Sequence, residues 1–81
     1  MKWYLIDCCG EISEDITAIP KKYQTRKAAI EYGKKAFQSL ASWQKNLRTD
    51  FYIAFGHYNK KEYEFDFTEY VDCMEGLNVN N

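Results

Sequence analysis

One amphipathic stretch, Thr25 to Gln44 (TRKAAIEYGKKAFQSLASWQ), sets the strongest limit on what this chain can fold into. Ile30, Gly33, Phe37 and Leu40, widened by Ala29, Ala36 and Ala41, recur at three- and four-residue steps, the period of a helix with one apolar stripe. Lys27, Glu31, Lys34, Lys35, Gln38 and Lys45 fall on the opposite side. Such a helix gains most of its stability by burying its stripe, so the remaining chain must supply a surface to receive it. Thr25 is placed to cap the helix, because a side-chain oxygen there accepts one of the unpaired first-turn N–H groups.

That surface reads as a sheet. Lys2–Cys8 alternates and is rich in aromatic and aliphatic residues, a strand pattern. Gly10 supplies a turn, and Ile16–Ile19, stopped by Pro20, reads as a second strand paired with the first. After the helix, Asp50–Tyr58 (DFYIAFGHY) is the clearest strand, Asn59-Lys60-Lys61 the reversal, and Glu62–Phe67 (EYEFDF) its partner. Thr68–Leu77 has the spacing of a short closing helix, with Thr68 as cap, Tyr70, Val71 and Met74 as its apolar side, and Gly76 ending it.

The segments predict an α+β fold. An antiparallel sheet of about four strands in ββαββ order carries the long helix on one face and ends in the short C-terminal helix. Residues 1–77 form a single domain and 78–81 a disordered C-terminal tail. Gly33 lets the helix approach the sheet closely, and Gly56 marks a bulge.

Strict alternation in Glu62–Phe67 sorts Tyr63, Phe65 and Phe67 to one face and Glu62, Glu64 and Asp66 to the other. With the rings turned inward they meet Phe51, Ile53, Phe55, Tyr4 and Ile6 on the sheet and Phe37 and Leu40 on the helix. Trp3, Leu5, Tyr52 and Tyr58 are then left on the uncovered face beside the acids. Aromatics are unusually dense, at 17% of 81 residues, and a core this small cannot hide them all. Rings beside acids form a candidate protein-binding face, read as Trp3, Tyr52, Tyr58, Glu62, Glu64 and Asp66. Such a surface also imitates nucleic acid and fits a nucleic-acid-binding protein as partner.

Charge is segregated although the net charge is −1. Residues 1–19 set Lys2 against Asp7, Glu11, Glu14 and Asp15, residues 20–48 set eight cations against Glu31, and residues 49–81 set Lys60 and Lys61 against seven acids. An acidic–basic–acidic chain can present a signed surface to a charged partner. Its cations Lys27, Lys34, Lys35 and Lys45 could instead track phosphates, the basis of an alternative nucleic-acid-binding reading. Over one helix, TRKAAIEYGKKAF resembles the lysine-bearing second helix of double-stranded RNA-binding domains, although there three strands and an opening helix precede it. That resemblance implies phosphate contact by the lysines. The overall pI of about 5.8 runs against the usual footprint of a nucleic-acid binder.

Catalytic and metal chemistry find little footing. His57 is the only histidine, and the adjacent Cys8 and Cys9 lack the separation that lets two thiolates reach one tetrahedral ion. No metal or cofactor is expected, and no enzyme activity. Three cysteines, an odd number, no secretory signal and no apolar run near the roughly 20 residues that span a bilayer predict a cytoplasmic protein without a membrane partner. The reading is a small non-enzymatic protein-binding module that occupies a macromolecular surface. In size, aromatic richness and segregated charge it is similar to phage and mobile-element inhibitors of host systems, such as anti-CRISPR proteins. A self-associating structural domain, a homodimer, is a further alternative.

Overall fold

Strands β1 (Lys2–Cys9) and β2 (Ser13–Ala18) form a hairpin, followed by a single 3-10 turn, Lys21–Tyr23, and helices α1 (Arg26–Gln38) and α2 (Ser42–Leu47). A second hairpin, β3 (Asp50–Asn59) and β4 (Glu64–Asp72), completes a four-stranded antiparallel sheet in the order β2-β1-β3-β4. The structure, a computed structural model, describes residues 1–10 and 13–74. Gly76, Leu77 and the proposed tail lie outside the described residues.

β1 takes a central place because both of its faces are apolar. Trp3 and Leu5 point to the helix side and join Ile19, Ala29, Phe37, Phe51, Ile53 and Cys73, with Ile30, Leu40 and Val71 packed around them. Tyr4 and Ile6 point to the opposite side. Thr25 caps α1 as its sequence position predicts, its Oγ1 accepting from the Ala28 N–H at 3.3 Å. Gly33 is where helix and sheet touch: a β-carbon there would stand 2.6 Å from Cys73 Sγ and 2.7 Å from Ile53 Cγ2. Gly10 turns the first hairpin with a φ of +67°, a conformation open to glycine at little cost.

The predicted single helix is two. At Ser39–Ala41 the chain leaves the helical path: the Ser39 hydroxyl donates to the Ala36 carbonyl and the Leu40 N–H to Phe37 O, tightening the last turn. Gln44 Oε1 then accepts from the Ala41 N–H at 2.8 Å and starts α2. Arg48 ties that short helix to the sheet. Its Nε and Nη2 donate to the two carboxylate oxygens of Asp7 at 3.1 and 3.0 Å, while Nη1 reaches Gln44 O at 2.7 Å.

The predicted C-terminal helix is corrected over Thr68–Asp72, which continue β4. Tyr70 and Val71 are strand formers that pair with Ala54 and Ile53 across the ladder, and that pairing outweighs a helical spacing of only a few residues. Thr68 is no cap: its hydroxyl donates to Phe55 O at 3.3 Å.

Gln24 closes the end of the sheet in place of a strand residue. Its Oε1 accepts from the Trp3 N–H at 2.7 Å, and its Nε2 donates to Trp3 O at 2.9 Å and Ile19 O at 2.7 Å. Gln24→Ala removes all three bonds and takes from the Trp3 N–H and the Ile19 carbonyl their side-chain partner, while Trp3 O keeps the Ile19 N–H at 3.1 Å, so stability is expected to fall by about 2 kcal/mol. In a thermal melt followed by circular dichroism that is a drop of roughly 10 °C. An unchanged melting temperature would show the bonds to be dispensable.

Candidate protein-binding face

The side of the sheet turned away from α1 carries a continuous ring network. β1 alternation sends Lys2, Tyr4, Ile6 and Cys8 there, and antiparallel pairing sets Tyr52, Ala54, Gly56 and Tyr58 of β3 beside them. On β4 the register slips at Phe55/Gly56, so that Ala54 faces Tyr70 while Gly56 faces Phe67 and Tyr58 faces Phe65. Thr68 is the extra residue. A bulge of one residue shifts the side-chain parity, and Phe65, Phe67 and Tyr70 thereby share one face although their spacing is not strictly even.

The rings meet mostly edge to face. Tyr4 lies 5.2 Å from Phe65 and 5.9 Å from Tyr58 between centroids, Tyr52 lies 5.7 Å from Tyr70, and Phe67 bridges Phe65 and Tyr70 at 5.8 and 5.9 Å. Such geometry sets the positive ring edge against the negative ring face. Ala54, between Tyr4 and Tyr70, and Ile6, between Ile16 and Tyr52, are buried under this layer. The outermost rings stay in solvent: Phe67 is 42% and Tyr70 62% exposed.

Several site residues are therefore relocated. Trp3, expected on the open face, is 3% exposed in the helix-side core, its ring 5.1 Å from that of Phe55 and tilted 44° to it. Leu5 accompanies it, and Tyr4 and Ile6, expected inward, take the open face. Both residue pairs are apolar, so alternation alone does not say which of them meets the helix. Tyr52 and Tyr58 lie on the open face as expected. Phe65 and Phe67 do not turn toward the helix, and Glu64 and Asp66 lie on the helix side of the sheet, exposed. Tyr63 is no strand residue: it ends the β3–β4 turn at a φ of 54° with its ring in solvent. Glu62 sits in that turn, where its N–H and that of Lys61 donate to Asn59 Oδ1. Sequence reasoning thus missed Tyr4, Phe65, Phe67 and Tyr70 as open-face residues. The hairpin register, with Tyr58 facing Phe65 and Gly56 facing Phe67, decides the side of the two phenylalanines, and the bulge marked by Gly56 brings Tyr70 to that same side.

Charge on this face is polar from end to end. Lys2 lies at the end shared with the β3–β4 turn, where Lys60 and Lys61 outnumber Glu62. Glu14, Asp50 and Asp72 lie at the other end, in register with Cys8 and Tyr52. Burial first, then Cys8, Asp50 and Glu14, push the Tyr52 hydroxyl above its ordinary range; burial first, then Glu14 and Asp50, does the same to the Cys8 thiol. Cys9 takes the helix side, its Sγ 3.7 Å from Asp7 Oδ1. Cys73 in the core is pushed up to about 11 by burial and stays a thiol.

The cationic set divides. Lys27, Lys34 and Lys35 are exposed on α1, whereas Lys45 sits on α2 with its Nζ 5.7 Å from the Phe37 ring centroid. Among the described residues no three His, Cys, Asp or Glu side chains are grouped closely enough to hold a metal ion, and no helix is long and apolar enough to cross a membrane. Compared with protein-family models, curated proteins and solved structures, the chain gives no match.

Proposed function

We propose that the protein is a non-enzymatic binding module whose working surface is the open aromatic face, used to occupy a surface on another protein. The single observation that supports this most strongly is the layer of Tyr4, Tyr52, Tyr58, Phe65, Phe67 and Tyr70 on a sheet face that no described element covers. Tyrosine and phenylalanine are enriched in interface cores, where rigid rings bury much area at little entropic cost. A reducing, cytoplasmic setting fits three free thiols. An inhibitor of a host system, of the kind phage and mobile elements encode, is one role such a module would fill.

Capture of partners from lysate of the producing cells tests the choice of surface. With Phe67→Ser and Tyr70→Ser together, partners retained by the parent protein are expected to be lost at least tenfold. With Lys34→Glu and Lys35→Glu they are expected to stay. The reverse pattern would move the working surface to the basic helix and favour nucleic-acid binding.

A further inference from the structure

We propose that the open face is closed by a second copy of this chain, packed face to face about a twofold axis that runs across the strands. The inference rests on the reading of that face as a protein-binding surface and names its occupant. What carries it is the charge layout. An in-plane axis across the strands reverses strand direction between the copies, so the Lys2 end of each sheet lies over the Glu14–Asp50–Asp72 end of the other. Ring layer meets ring layer in the middle, and opposite charges meet at both ends. An axis along the strands would instead set like charge on like.

Size points to a weak dimer. Four strands about 4.8 Å apart and up to ten residues long present a face of about 600 Å² per copy, at the low end of specific interfaces. Pairing through the free β4 edge is disfavoured. Across a twofold centred on Thr68 it would set Glu64 of each copy opposite Asp72 of the other, on a strand that carries Asp66 and Glu69 as well and no cation. A nucleic-acid strand on the rings would have to pass the three acids at one end.

Charge exchange tests the arrangement directly. Lys2 and Asp50 are exposed, so each can be reversed without disturbing the core. In sedimentation equilibrium the parent protein is expected to rise from its 9.6 kDa monomer toward twice that mass over roughly 1 μM to 1 mM. Lys2→Glu and Asp50→Lys, each alone, set like charges together twice per dimer and are expected to weaken association about tenfold or more. An equimolar mixture of the two variants restores both attractive pairs and is expected to recover the parent's association.

A parent protein that stays monomeric throughout overturns the proposal. If Phe67→Ser with Tyr70→Ser still abolishes partner capture in that case, the binding face stands with a different occupant. If it does not, both readings fall. Association that both single variants leave unchanged, or that their mixture fails to restore, also overturns it. So does a monomer that binds a single-stranded oligonucleotide in a salt-dependent manner abolished by Lys2→Glu, which would make the face a nucleic-acid platform.

Discussion

Phe37→Ala is expected to remove about 3–5 kcal/mol of stability, enough to leave a chain of this size largely unfolded at 37 °C. Phe37 is 2% exposed and stands where α1 meets the sheet, its ring 5.2 Å from Phe51. On its other side the Lys45 ammonium approaches the ring from α2, so one side chain joins both helices to β3. Truncation leaves a cavity that backbone held by the β1–β3 ladder cannot collapse into. Urea denaturation checks the loss. Phe37→Leu, which keeps most of the volume, is expected to cost about 1–1.5 kcal/mol. Equal costs for the two would mean that the ring packs against little.

Gly56→Ala is expected to cost about 3 kcal/mol or more, a large effect for one methyl group. Its β-carbon would run into the Asp66 carbonyl oxygen and stand 2.5 Å from the Phe67 α-carbon. Both are backbone, and backbone inside a ladder does not rotate aside as a side chain does, so the β3–β4 pairing has to open. The glycines should rank by what they touch. Gly33→Ala meets only the side-chain atoms of Cys73 and Ile53 and is expected to cost less, about 1–3 kcal/mol. Gly10→Ala meets nothing within 4 Å and bears only the left-handed conformation, about 1 kcal/mol. Amide hydrogen exchange distinguishes Gly56→Ala from a general loss of stability: His57, Tyr58 and Phe65 should lose protection well before β1 does. Loss spread evenly over the sheet would contradict a local clash.

The architecture was legible where a residue type admits one use. Thr25 as a cap, Gly10 as a turn, Gly33 as a close approach and Asn59 at the reversal all follow from local chemistry, and all stand. Four antiparallel strands and a helix on one face follow from period alone. What the sequence concealed is which face of the sheet the helix takes. Trp3 with Leu5 and Tyr4 with Ile6 are equally apolar sets, so β1 offers no polarity to choose between them.

In β4 the acids mark the solvent side of an isolated strand, yet here Glu64 and Asp66 stay exposed on the helix side while the β3–β4 register sends Phe65 and Phe67 to the open face. Tyr70 and Val71 fit a helix or a strand by spacing, and only pairing with Ala54 and Ile53 decides between them. The break at Ser39–Ala41 has no glycine or proline to announce it; Ser39, whose hydroxyl bonds back to the Ala36 carbonyl, is the sole cue.

The binding face depends on the β4 register, in which one extra residue at Thr68 lets Phe65, Phe67 and Tyr70 share the side opposite α1. Proton cross-relaxation between aromatic rings reads that register directly. Cross-peaks are predicted between the rings of Tyr4 and Phe65 and between those of Phe67 and Tyr70, with none from Phe65 or Phe67 to Phe37 or Leu40. Cross-peaks joining Phe65 and Phe67 to Phe37 would turn the strand over and contradict the account.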